Sequence, residues 1–237
     1  VLDRPTPLLR WGPALLKLEL FRPGGSTSGR AAQDWAFSAP RQAAIEASGN
    51  QALSAAAWAR HRGVPLAVAL RGRVTHEMLQ ALALWGAHID PHAEPTLPRL
   101  DSDAAVPVFA RTLGAELLRE LTEAPPLLVC PAGERAALLG ALSALRQRWP
   151  QVRGVALLAQ DEELPDLPLD ASLPDDVEKL PVTRALAARA RVRVARALGL
   201  LANHAGAAAA AYAHQHGGVA LVTALGEREF SLDEAEP

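Results

Sequence analysis

Ala14-Leu15-Leu16-Lys17-Leu18-Glu19-Leu20, followed by Pro23-Gly24-Gly25-Ser26-Thr27-Ser28-Gly29-Arg30, is the stretch whose reading decides the fold. Its first half is an apolar run that reads as a strand from Leu15 to Leu20, and Pro23-Gly24-Gly25 breaks it. Ser26 or Ser28 supplies a cap for a helix from about Gly29 to Phe37. The glycine-rich loop lacks the lysine with which a P-loop reaches phosphate, which argues against nucleotide binding.

The same alternation continues outward. Strands are expected at Ala43–Ala47, Leu66–Leu70 and Gly86–Asp90, with helices Gln51–Arg62 and Thr75–Trp85 between and after them. Residues 91–107 hold four prolines and read as a connector. A helix Val108–Thr122, a strand Leu127–Cys130 and a helix from Glu134 to Trp149 come next, then a strand Val155–Leu158. Residues 161–181 are proline- and acid-rich and read as a surface loop. The chain closes with helix Val182–Leu198, strand Leu200–Ala202, an alanine-rich helix Ala205–His216 and strand Val219–Thr223, before an acidic tail. Regular strand–helix alternation predicts α/β architecture with parallel sheets.

Composition narrows the function classes. The hydrophobic fraction of 49% is enough for a substantial core, and the net charge of −2 comes without a basic block. Neither nucleic acid nor an anionic membrane is expected as a partner. No signal segment precedes the first strand and no apolar run approaches ~18 residues, so a soluble, cytoplasmic protein is expected. The single cysteine, Cys130, lies in an apolar run and reads as a buried thiol. His88, His92, His214 and His216 have no carboxylate or cysteine at metal-site spacing and read as surface residues.

The opening, from Arg4-Pro5-Thr6-Pro7-Leu8-Leu9 through Lys17-Leu18-Glu19 to Arg30, resembles the fold-type-II pyridoxal-phosphate enzymes, the cysteine synthase and tryptophan synthase β family. Those proteins read TPL, then KxE, then PxxSxKDR, and the last lysine forms the Schiff base with the cofactor. The aligned residue here is Ser28, and Gly29 stands for the aspartate. A serine hydroxyl forms no imine with an aldehyde, so the resemblance implies a family member without its covalent anchor. The chain has two lysines in all. Lys17 is the KxE lysine, and Lys179 lies in an acidic stretch.

Four further segments match in order. Glu46-Ala47-Ser48-Gly49-Asn50-Gln51 resembles the TSGNTG loop, whose backbone receives a substrate carboxylate and whose asparagine bonds the cofactor. Loop amides ahead of a helix make an anion site on physical grounds alone, although Ser48 also reads as a plain N-cap. Ala110–Leu117 resembles a TxGxEI helix start, with no chemical role assigned. Gly133-Glu134-Arg135-Ala136-Ala137-Leu138-Leu139-Gly140 resembles the GTGGTxxG phosphate loop. Only the outer glycines remain, Glu134 repels a phosphate dianion and Arg135 attracts one by a different geometry. The alternative is an ordinary solvated Glu134–Arg135 pair. Ala202-Asn203-His204-Ala205-Gly206-Ala207 resembles the SSGA segment, and Thr223–Ser231 the DSGERYLS ending. Leu225 there stands for the serine facing the pyridine nitrogen and can form no hydrogen bond.

The resemblance implies a two-domain, three-layer αβα fold. Residues 36–100 form the smaller αβ domain, and residues 1–35 with 101–237 the larger. It implies a catalytically inactive homologue with no bound cofactor, and Asn50, Gly133, Arg135 and Leu225 as degenerate cofactor positions. Ser26, Ser28, Ser48, Gly49 and Asn50 are the candidate pocket for a small carboxylate or other anion. A homodimer, or pairing with an active paralogue, is the expected assembly. The alternative is an active lyase or transferase of amino-acid metabolism, cysteine synthase-like or threonine dehydratase-like, that holds pyridoxal phosphate in a non-standard way.

Overall fold

The computed structural model describes residues 4–38, 41–71, 75–160, 167–168 and 171–223. Among them, β1 (Leu8–Trp11) and β2 (Ala14–Leu18) form an antiparallel hairpin. The decisive loop then leads into α1 (Ser28–Ser38). A small parallel sheet follows, built from β3 (Ala43–Ser48), β4 (Leu66–Arg71) and β5 (His88–Ile89) in the order β3-β4-β5. Helix α2 (Gly49–Arg62) joins β3 to β4 and α3 (His76–Leu84) joins β4 to β5. The other strands are β6 (Leu127–Pro131), β7 (Arg153–Ala159), β8 (Val177–Val182) and β9 (Gly218–Val222). The larger sheet has the order β1-β2-β9-β6-β7-β8, parallel apart from the β1–β2 pair.

Helices cover both faces of this sheet. The helical stretch 106–120 runs as α4 (Val106–Phe109), a π-helical turn Ala110–Gly114, and α5 (Ala115–Glu120). It packs with α6 (Arg135–Arg148) on one side. On the other side lie α7 (Arg184–Leu198) and α8 (His204–His216). Two apolar clusters result. One joins α1, α2 and the small sheet to α6 through Trp58, Ile45, Phe109 and Leu138. The other packs α8 alanines against β2, β7 and β9. Alanine recurs on α8 because the helix must lie close to the sheet: seven of its alanines are in that cluster or packed against it. Gly140 serves the same end on α6, since a Cβ there would meet the Val106 carbonyl at 2.5 Å.

The mixed α/β architecture with parallel sheets is as the alternation of elements predicts. Three elements differ. Residues 161–181 are not all loop, because β8 begins at Val177 and pairs with β7. Its exposed, charged and proline-bearing sequence hides the strand, as is usual at a sheet edge. Leu200–Ala202 makes only an isolated bridge at Ala202 instead of a strand. The hairpin strand β1 is an unanticipated element; its turn needs Gly12, at φ +56°. No helix among the described residues is long and apolar enough to cross a membrane.

Candidate functional site

The decisive loop ends at the start of α1, and two residues there face opposite tasks. Arg30 turns into a buried cluster of charges. Its guanidinium donates to both Glu19 oxygens at 2.8 Å, to Glu116 Oε1 and Oε2 at 2.8 and 2.7 Å, and to Thr6 Oγ1 at 3.1 Å. Thr6 in turn donates to Glu19 at 2.6 Å. Lys17 donates to the Thr6 carbonyl at 2.8 Å, and it pairs with Glu116 at 3.0 Å and Glu120 at 2.7 Å. Arg22 reaches Glu116 at 3.3 Å. Lys17 and Glu19 are fully buried. Burial opposes the charge on Glu116, but the hydrogen bonds and charge of Arg30, with Lys17, outweigh it and hold the carboxyl at about 2. Burial likewise works against the Arg30 charge, and Glu19 and Glu116 more than compensate, raising its pKa.

This cluster gives Glu116, the acid of the TxGxE-like segment, the role that sequence alone left unassigned. The π-helical turn just before it shifts the helix register by one residue, and Glu116 is buried against Arg30 from the turn beyond. Lone acids in a helix carry no signal in sequence. Lys17-Leu18-Glu19 and the TxGxE-like segment stand about a hundred residues apart, and no local pattern links them.

Thr27 and Ser28 face the other way. The Thr27 hydroxyl donates to Glu134 Oε2, and Ser28 Oγ lies 3.4 Å from the same oxygen. Glu134 is half-buried and precedes α6 as its cap residue, but its side chain does not cap that helix. Burial pushes its carboxyl up to about 7; the bonds from Thr27 and Ser28 oppose this, while Glu19 and Asp101 add to it. Cys130 is buried, with Sγ 3.9 Å from the Glu134 carbonyl. Burial, with Glu134 and Glu19, pushes its thiol well up, so it is inert at neutral pH. Ser26 is buried and lies 3.5 Å from Ser54 Oγ on α2.

The Ser48–Asn50 loop joins β3 to α2, as expected of a site between a strand end and a helix N-terminus. Ser48 has extended backbone and makes no capping hydrogen bond with its side chain, so it leaves the first α2 amides to other acceptors. Gly49 has φ +37°, and a Cβ there would meet nothing within 4 Å. Gln51, next along, is buried, and its Oε1 has no partner among the described residues. An amide flip presents either that acceptor or two N–H donors at this point.

The other sequence candidates fall as follows. Gly133 is exposed. Arg135 donates to the Ser172 carbonyl and to Asp103, both at 2.5 Å, and so ties α6 to neighbouring loops. Asn203 caps α8 by accepting from Gly206 N at 2.7 Å, with His204 buried beside it. Leu225 and the rest of the Thr223–Ser231 segment beyond Thr223 lie outside the described residues. No group of three metal-binding side chains occurs among the described residues.

A sheet flanked by helices on both sides, a smaller parallel sheet beside it, and a serine–glycine–asparagine loop at a helix start together define a class. The family described as "Pyridoxal-phosphate dependent enzyme" matches residues 2–171, and the chain belongs to it. Solved structures of similar fold include O-ureido-L-serine synthase, at 20% identity and TM-score 0.81 over 98% of this chain and 93% of that one. O-acetylserine dependent cystathionine β-synthase from Helicobacter pylori has 16% identity and TM-score 0.81 over 97% and 95%. O-acetyl serine sulfhydrylase isoform 3 from Entamoeba histolytica has 16% identity and TM-score 0.84 over 98% and 89%. The fold is thus that of the cysteine synthase-like, fold-type-II enzymes. No curated protein matches the chain in sequence at a significant level.

The family match corrects one expectation outright. Pyridoxal phosphate is the group the family points to, and the expectation of no cofactor is overturned. Damaged motifs misled because they report on individual contacts, whereas membership rests on the whole framework. The residues do not fit the family's covalent attachment, however. Ser28 stands where the lysine would, hydrogen-bonded to Glu134. Lys17 is locked between Thr6, Glu116 and Glu120, and Lys179 lies on β8, at the far edge of the sheet.

Proposed function

We propose that this protein is a homologue of the cysteine synthase-like enzymes that carries out no imine chemistry through a lysine of its own. It keeps a pocket for a small carboxylate or other anion at Ser48, Gly49 and Asn50. The observation that carries the reading is the Ser28–Glu134 contact at the start of α1. A hydroxyl held against a carboxylate supplies neither the amine nor the positive charge that the covalent step needs. Two supports come from α2. Its first amides have no capping side chain from Ser48, and the helix dipole favours negative charge there. The Ser26–Ser54 contact brings the decisive loop against α2, so a ligand there would bridge α1 and α2. As a cytoplasmic homodimer, or paired with a lysine-bearing paralogue, such a chain would act through binding.

Two experiments test the reading. Borohydride reduction after adding pyridoxal phosphate leaves no stoichiometric adduct on the Lys17 or Lys179 peptide; a quantitative adduct on either overturns it. Titration with acetate shifts the Ser48, Gly49 and Asn50 amides at millimolar concentration, or about −4 kcal/mol. Silence at these amides, with response elsewhere, makes the loop a helix start only.

A further inference from the structure

A second cleft lies on the face of α1 away from Ser28. It has a volume of about 400 Å³ and is formed by Pro5, the α1 residues Arg30, Gln33 and Asp34, the helical residues Arg111, Thr112, Glu116 and Arg119, and Arg22. None of Ser26, Ser28, Ser48, Gly49, Asn50 or Glu134 lines it. We propose that this cleft binds a small oxyanion, a carboxylate or phosphate group carried on a compact molecule, with Arg119 as its primary contact.

Four guanidinium groups face two carboxylates in the lining. The floor is buried: Arg22, Arg30 and Glu116 are each more than nine-tenths buried. Glu116 is committed to Arg30, Lys17 and Arg22, and Arg30 spends its donors on Glu19, Glu116 and Thr6. Neither is available to Arg119. Asp34 pairs with Arg111 at the exposed rim. That leaves Arg119, which has no acidic partner among the described residues although it projects into a cleft of ligand size.

A planar guanidinium receives an oxyanion through two parallel N–H donors, a fit that a lysine would not give. The Arg111–Asp34 pair is solvent-exposed, so Arg111 is cheap to redirect toward an incoming anion. Thr112 and Gln33 line the same wall beside the cations, with the Thr112 hydroxyl donating to the Val108 carbonyl at 2.7 Å. A volume of this size exceeds what a bare ion fills and lies in the range of small-molecule sites.

Amide titrations of the full chain with sodium succinate and with inorganic phosphate, at constant ionic strength, test the proposal. Saturable shifts of Gln33, Thr112 and Arg119 are expected with at least one probe. Succinate alone identifies a carboxylate site, phosphate alone a phosphate site, and response to both an oxyanion site without that preference. Arg119→Gln, an exposed change, is expected to weaken binding about tenfold, and Arg111→Gln less. Absence of saturation at these amides with either probe overturns the proposal, as does unchanged affinity in Arg119→Gln. The Ser48–Asn50 amides report separately in the same spectra, so failure of one site is distinguishable from failure of the other.

Discussion

Ser28 and Arg30 sit two residues apart at the start of α1, and their surroundings have opposite histories. Around Arg30, charges from five segments of the chain close on one another, and the framework residues Thr6, Lys17, Glu19 and Glu116 all have partners. Around Ser28, a single carboxylate with a raised pKa takes up the hydroxyls of Thr27 and Ser28. The difference teaches where a fold tolerates change. Removing one member of a buried ion cluster strands the others without water, whereas the Ser28–Glu134 contact joins one hydroxyl to one half-buried carboxylate and is rebuilt at smaller cost.

Substitutions in the two environments test this difference. The largest effect is expected at Glu116. Glu116→Leu leaves Arg30, Lys17 and Arg22 short of negative charge and costs about 3–5 kcal/mol in chemical denaturation. A loss under about 1 kcal/mol would make the cluster energetically idle. Its pH dependence has a definite sign: the folded carboxyl sits at about 2, below its ordinary 4.5. The stabilisation is present above pH 4.5 and is lost as pH falls from 4.5 toward 2.

Next comes the loop that joins the two regions to α2. Gly24 has φ +83°, and a Cβ there would lie 2.3–2.5 Å from Ser54 Oγ, Cα and N. Gly24→Ala is expected to cost about 2–3 kcal/mol, from left-handed backbone and collision together. Gly49→Ala keeps open space around its Cβ, so only the φ of +37° counts, about 1 kcal/mol or less. Equal thermal shifts for the two variants would refute the contact-based account of the Gly24 loop.

Glu134→Gln sharpens the comparison from the other end. The folded carboxyl lies near 7, above its ordinary 4.5. Its contribution is therefore fully present below pH 4.5 and is lost as pH rises from 4.5 through 7, the reverse of Glu116. The wild type should lose stability over that window, relative to a Glu134→Gln variant that lacks this slope. Parallel stability curves for the two proteins would remove Glu134 from the account. The smallest effect belongs to the exposed Arg111–Asp34 pair: Asp34→Asn should change stability by about 0.5 kcal/mol or less.

Much of the fold was legible because local signals agreed with tertiary ones. The runs at Ala43–Ala47, Leu66–Leu70 and Val219–Thr223 are apolar and bounded by glycine or proline, and each is a strand. β8 escaped because an edge strand with Glu178, Lys179 and Pro181 has no periodicity to read. The Ser48 loop was legible as a strand–turn–helix junction, since its signals are local. Glu134 was read as a residue hostile to phosphate, but its bonds to Thr27 and Ser28 were not foreseen. Those partners are more than a hundred residues away in the chain, and no local pattern links them.

Residue type and short-range spacing alone carry the strand–helix alternation, the family framework and the serine at position 28. Tertiary structure decided which charges became partners. Only folding brings Glu116 to Arg30 and Lys17, Glu134 to Ser28, and Arg119 into a cleft beside α1. The reason is that electrostatic energy depends on distance and burial, and both are set by the packing of segments remote in sequence.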